Sequence, residues 1–261
     1  MYNTQFVTAF YDLGRSNWTR SKRSTQEYFD RFLLMANTIK NDFIVYSTKD
    51  IIEQLKPKVK SNVKFVEYDF FIECKYLIEQ IDKVQKSEEF EKLYSYKFFT
   101  TAQRNVEYNK PEYSAVNCAK LWFIDHAVDN GHISSDFTGW VDFGYSLRKS
   151  DMFENDHYQA HWNHDRIRLF KLHDFDPKTV SIDDAMIRNK VYFTGGAYIG
   201  RKESFKPFRI LWDELLERYW KRHMMDDDQG FLLASFLEKP EMFESISCKD
   251  SRDWRPLFRG D

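Results

Sequence analysis

Asp142 stands in TGWVDFGYS, residues 138–146, just after a short apolar run and two residues before a glycine. A carboxylate at the end of a strand can hold a divalent cation against a diphosphate and help a nucleoside diphosphate depart. Gly144 would let the backbone come close to such a ligand. The same aspartate also suits a simple turn, because Asp near Gly readily folds back on its own backbone. The letters D-F-G occur in protein kinases as well. That chemistry needs a glycine-rich phosphate loop and an upstream H-R-D catalytic loop. Neither is present: the preceding residues read IDHAVDNGHISSDFTGW, and the chain has no G-x-G-x-x-G. The kinase reading is excluded.

A second acidic group, Asp226, Asp227 and Asp228, lies in MMDDDQG. Massed carboxylates repel one another, which lifts a pKa toward values useful to a general base. Asp226 and Gln229 have N-cap and N3 spacing, so Asp226 is expected to start a helix. A capping carboxylate is held ionised by backbone amides and makes a poor base, so Asp227 or Asp228 is the expected base. His161 and His164 in HYQAHWNHD are three apart and on a helix would share a face, but with His157 and Asp165 they match no zinc-site spacing. The stretch reads as a polar loop. His223 adjoins the aspartates as a weaker candidate for a metal or phosphate contact.

The C-terminal CKDSRDWRPLFRGD gathers Lys249, Arg252, Arg255 and Arg259 around Trp254. Arg252 and Arg255 are expected to fold over a diphosphate as a lid, with Trp254 and Phe258 for docking, a poorly ordered terminus being the alternative. On that reading, deletion from residue 249 onward leaves the stability of the unliganded protein little changed.

The elements that must position these groups alternate. QFVTAF reads as a buried strand, and STQEYFDRFLLMANTIK as a helix opened by Ser24 and Glu27 at capping-box spacing. FIVYS, KDIIEQL and VKFVEY continue as strand, helix, strand, the pattern of a parallel sheet with crossover helices. Residues 70–112 are more polar, with helical turns, and belong on one face or as an insertion. YSAVNCAKLWFIDHAVDNG reads as one helix ending at Asn130-Gly131. After the Asp142 strand come a strand VYFTGGAYIG, a helix KESFKPFRILWDELLERYWKRH, the acidic cluster, a helix FLLASFL and a short segment EMFESIS. Gly195 and Gly196 within that strand suit a bulge at least as well as a ligand platform. No repeat or linker divides the chain, so one domain over 1–261 is expected.

Composition limits the alternatives. At 261 residues the chain suits one large α/β domain. A net charge of −2 without a basic face argues against nucleic-acid binding. Aromatics at 18% are read first as core and only second as sugar-stacking surface. Cys74, Cys118 and Cys248 show no C-x-x-C spacing, which points to a reducing compartment. No segment resembles a signal peptide or a membrane span, so a cytoplasmic protein is expected.

TAFYDLGR, NCAKLWFI, WVDFGY, FTGGAYIG and DDDQGFL occur in this order across nearly the whole chain. Together they resemble the HtrL/YibB (WlaTC-like) family of bacterial surface-polysaccharide proteins, regarded as glycosyltransferases. The resemblance implies a GT-A-like α/β fold, mostly parallel at its centre with helices on both faces. The nucleotide-binding half would span about 1–145, the acceptor half about 146–248 and the tail 249–261. It implies a nucleotide-sugar donor, a UDP-sugar first, and a glycan or lipid-linked glycan acceptor at the cytoplasmic membrane face. Tyr11, Asp12 and Arg15 would then contact the nucleotide, as would Lys120 on the helix before the Asp strand. Asp142 takes the D-x-D position, with Mn2+ or Mg2+ as the implied metal. Gly144 replaces the second Asp, which weakens any metal site to a single carboxylate. Gly195, Gly196 and Asp226 would shape the acceptor side, and Asp227 or Asp228 would serve as base. A protein that keeps the fold and binds nucleotide or carbohydrate without transfer is the alternative.

Overall fold

The first strand, β1 (Tyr2–Phe10), is buried along most of its length, and its side chains divide between two cores. Phe6 and Phe10 join one hydrophobic cluster while Val7 and Ala9 join the other, as the two-residue period of a strand requires. A strand apolar on both faces must be covered on both. In a computed structural model that describes residues 1–19, 21–94, 105–146, 153–249 and 255–258, helices supply that cover.

After β1 come α1 (Thr25–Thr38), β2 (Phe43–Ser47), α2 (Lys49–Leu55) and β3 (Val63–Glu67). The expected capping box opens α1: Ser24 and Glu27 bond each other's backbone amides. Next are α3 (Phe70–Glu73), α4 (Lys75–Gln85), α5 (Glu88–Tyr94), α6 (Pro111–Cys118), α7 (Lys120–Asp129) and β4 (Phe137–Val141). The second half holds β5 (Gln159–Ala160), β6 (Ile167–Lys171), α8 (Ile182–Arg188), β7 (Phe193–Arg201), α9 (Phe205–Trp220), α10 (Asp228–Glu238) and β8 (Phe243–Ser247). The strands form one sheet in the order β3-β2-β1-β4-β7-β6-β8, with β5 pairing antiparallel to the start of β1. β1 to β4 are parallel neighbours, as the alternation predicted. β7 runs antiparallel to both β4 and β6, so the sheet is mixed with a parallel majority. α1 and α2 cover one face with Phe29, Phe32, Met35, Ile51 and Leu55. The 70–112 helices, with α7, α9 and α10, cover the other.

Three sequence expectations change. The single helix over YSAVNCAKLWFIDHAVDNG is two, α6 and α7, separated at Ala119 (φ −81°, ψ −1°). At the break the Cys118 carbonyl accepts a bond from the Trp212 indole at 3.0 Å, a tertiary contact that local periodicity does not show. The HYQAHWNHD stretch, expected as a polar loop, contributes the short strand β5. His164 Nε2 lies 3.3 Å from Glu244 Oε2 and His157 Nε2 3.3 Å from Asn3 Oδ1. α8 was not expected, yet Ser181 caps it by accepting from the Asp184 amide. The three cysteines are free thiols. Among the described residues, no helix is long and apolar enough to cross a membrane.

Candidate active site

The carboxyl ends of β1 and β4 lie side by side, and a cleft of about 310 Å³ opens above them. Open α/β sheets bind ligands at this edge. Asp142 is the first residue beyond β4, and its amide donates to the Gly196 carbonyl at 2.9 Å. Phe143 holds the turn down: it is buried and stacks on Phe10 and Phe32, with centroids at 4.7 and 4.2 Å. The middle letter of D-F-G is therefore a core residue that fixes the aspartate beside it.

The centre of the site is a buried ammonium. Lys120, the first residue of α7, is 3% exposed and donates to Asp142 Oδ1 at 2.9 Å, Asp228 Oδ2 at 2.6 Å and the Gly195 carbonyl at 2.9 Å. Its three N–H groups are thus all used. Burial alone would push the lysine pKa down; the Asp142 and Asp228 carboxylates more than offset this and hold it above the usual lysine range. Trp140 Nε1 adds a second donor to Asp142 Oδ1 at 2.7 Å. Gly195 is required here, because a Cβ at that position would collide with the Asp228 carboxylate. The strand bulges at this point: Leu169 opposes Tyr198 while Lys171 opposes Phe193, so residues 194–197 face a single β6 residue. The glycine pair is both a bulge and part of the cleft wall.

Cap and candidate base are arranged differently from expectation. Asp227, not Asp226, caps α10, accepting from the Gln229 amide at 3.0 Å. The helix begins one residue later than capping-box spacing implies, since Asp226 Oδ1 bonds the Asp227 amide at 2.9 Å instead. Asp226, expected on the substrate side, is buried behind the cleft wall, where Gly230 leaves it room. Burial, then the neighbouring Asp227 and Glu107 charges, push the Asp226 carboxyl well above the usual range. Burial and Asp228 do the same to Asp227. Burial also raises Asp228, while Lys120 pulls against the rise.

Basic and aromatic groups complete the lining of the cleft. Asp12 secures the loop after β1, with Oδ1 accepting from the Gly14 amide at 2.8 Å and Oδ2 from Thr25 Oγ1 at 2.6 Å. Arg15 bonds the Tyr28 hydroxyl and the Ser21 carbonyl and stacks on Trp18 and Tyr113 at 5.1 and 5.4 Å. Tyr11 is buried on Phe70, Phe71 and Phe123, and its hydroxyl has no hydrogen-bond partner among the described residues. Sequence reasoning missed Arg23, Tyr28, Tyr113 and Asn117, which also line the cleft. Arg23 was one base in a mixed loop, and Tyr28 one apolar position of α1, so neither carried a signal.

Arg255 reaches the cleft. Arg252, Trp254 and Arg259 lie outside the described residues. Phe258 docks as expected, but as core: it is buried against Phe6, Phe153 and Tyr145. His223 faces Ser87 Oγ at 3.1 Å and is no part of the cleft wall.

A divalent cation fits this donor set poorly in chemical terms. Asp142 Oδ1 already accepts two N–H donors, and Lys120 stands between Asp142 and Asp228 where a bridging cation would stand. At the second motif position, the place of a Gly144 Cβ is faced by Tyr28 at 3.0 Å and Arg23 Nη1 at 3.5 Å. The residues present do not fit such an ion.

Over residues 2–260 the chain matches the HtrL_YibB model, described as a bacterial protein of unknown function. It is 28% identical over 271 residues to protein HtrL of Escherichia coli strain K12, across 98% of this chain and 92% of that one. Among solved structures, apo mouse xyloside xylosyltransferase 1 aligns over 100% of this chain and 94% of its own, with TM-score 0.46 and 14% identity. The 4-diphosphocytidyl-2C-methyl-D-erythritol synthase of Anaerococcus prevotii aligns over 95% and 88%, with TM-score 0.39 and 12% identity.

Proposed function

The chain belongs to the HtrL_YibB family of bacterial proteins, and from its cleft we propose that it is a nucleotide-sugar-dependent glycosyltransferase. The acceptor in this reading is a glycan or lipid-linked glycan of a bacterial surface polysaccharide. One observation carries the reading. One cleft at the carboxyl ends of β1 and β4 is lined both by carboxylates, Asp142 and Asp228, and by guanidinium groups, Arg15, Arg23 and Arg255. Carboxylates accept hydrogen bonds from sugar hydroxyls, and guanidinium groups match phosphate oxygens. The cleft volume lies in the range of small-ligand sites.

In this reading the acceptor hydroxyl oxygen forms the new bond to the anomeric carbon as the bond from that carbon to the diphosphate breaks. The nucleoside diphosphate leaves with the electron pair, and the hydroxyl proton passes to a carboxylate. Asp228 suits that step best. Burial raises its pKa while Lys120 keeps an ionised form accessible. Asp227 is committed to the Gln229 amide. Lys120, through its bonds to both carboxylates and to Gly195, holds the wall in register.

One observation favours the non-catalytic alternative: Lys120 engages one oxygen of both Asp142 and Asp228. Titration calorimetry with UDP, GDP, ADP and their sugar conjugates tests for binding. Release of nucleoside diphosphate from the bound sugar nucleotide tests for transfer or hydrolysis. Binding without release would leave the binding-protein reading. No binding by any nucleotide overturns the transferase reading and leaves only carbohydrate binding without transfer.

A further inference from the structure

The carboxylate wall has spent its cation. With Lys120 saturated by Asp142, Asp228 and the Gly195 carbonyl, no N–H of that lysine remains for a diphosphate. A diphosphate entering the cleft needs its charge met from elsewhere. The second position of the Asp142 motif holds no carboxylate, and the Arg23 guanidinium faces it, with Nη1 3.5 Å from where a Gly144 Cβ would lie. Arg23 rests on the Tyr28 ring with its guanidinium carbon 4.9 Å from the centroid, and no described carboxylate forms an ion pair with it. Arg15 is stacked nearby on Trp18 and Tyr113, its Nε buried and without a hydrogen-bond partner among the described residues. Arg255 lines the same cleft.

We propose that Arg23, assisted by Arg15 and Arg255, neutralises the donor diphosphate in place of a divalent cation, so that nucleotide binding is independent of metal. The proposal rests on the glycosyltransferase reading and concerns how that donor is held. A guanidinium presents paired N–H donors to phosphate oxygens in a fixed plane, which a lysine cannot reproduce. Stacking on Tyr28 fixes that plane before ligand arrives, so little side-chain entropy is lost on binding. A metal-dependent site would instead need a carboxylate where the chain has Gly144.

The test is calorimetry of the full chain with UDP, GDP and ADP, once in EDTA and once in MnCl2. The expected result is that at least one of them binds with affinities agreeing within about twofold in the two buffers. Arg23→Gln should weaken that binding in EDTA by about tenfold or more, as loss of a charge-assisted phosphate contact does. Arg23→Lys should recover only part of it, with the melting temperature unchanged in both variants. Binding seen only with manganese overturns the proposal and leaves the glycosyltransferase reading standing. Parental affinity of Arg23→Gln in EDTA also overturns it. Absence of binding in both buffers removes the glycosyltransferase reading and the proposal with it.

Discussion

Lys120 and Asp228 are 108 residues apart in sequence and 2.6 Å apart in the structure, both nearly inaccessible to solvent. Breaking a buried pair from one side leaves an uncompensated charge, which typically costs about 3–5 kcal/mol. Lys120→Met is therefore expected to destabilise by that order. The double variant Lys120→Met/Asp228→Asn should lose clearly less than the sum of the single changes. Urea denaturation of the four proteins measures the cycle, and additivity would show that the two groups are not coupled.

Asp227→Ala and Asp228→Asn should separate. Asp227 caps α10, so loss of its accepting oxygen in Asp227→Ala is expected to lower stability by about 1 kcal/mol with modest effect on turnover. Removing a general base lowers the rate by ~10²–10⁴. Asp228→Asn should show a loss of that order in nucleoside diphosphate release, while calorimetry still detects donor binding. Normal release from both variants would place the base elsewhere or leave a binding protein.

Asp226 makes the protein sensitive to alkali. Its folded-state pKa is raised by burial and by Asp227, so its protonated form favours the folded state. That contribution is fully present below the unfolded-state pKa, about 4, and is lost as pH rises through the folded-state value. Asp226→Asn keeps an oxygen for the Asp227 amide and carries no charge at any pH. Its melting temperature relative to the parent should therefore be higher at pH 8 than at pH 5, by a few degrees per kcal/mol (about 2–4 °C for a chain of this size). A pH-independent difference would contradict the assignment.

The tail contributes to the core as well as the cleft. Leu257 and Phe258 are 3% and 1% exposed, and the Leu257 amide donates to the Tyr145 hydroxyl at 2.8 Å. Deletion from 249 onward should destabilise the unliganded protein, contrary to the expectation for a simple lid. Phe258→Ala alone should cost about 3–5 kcal/mol. Arg255→Gln separates the roles: melting temperature near parental, UDP affinity reduced. Unchanged affinity would remove Arg255 from the donor site.

Much of what depends on neighbours in the chain was legible in the sequence, though the locally capped α8 was not. The two-residue period of QFVTAF, the Ser24–Glu27 box and the strand–helix alternation follow from local sterics and backbone bonding, and all three appear in the structure. The resemblance to a known family implied that Asp142, Gly195, Asp228 and Lys120 belong to one site, and all four line one cleft. What local pattern leaves open was decided by tertiary contact. A lysine at a helix start reads as solvated, and only the approach of Asp142, Asp228 and the Gly195 carbonyl compensates its burial. Asp226 and Asp227 have nearly the same local capping potential, and the space beside Gly230 decides which turns inward. Arg23 gained its place from the ring of Tyr28 and the missing side chain of Gly144, two features whose meaning appears only when a loop and a strand end are brought together.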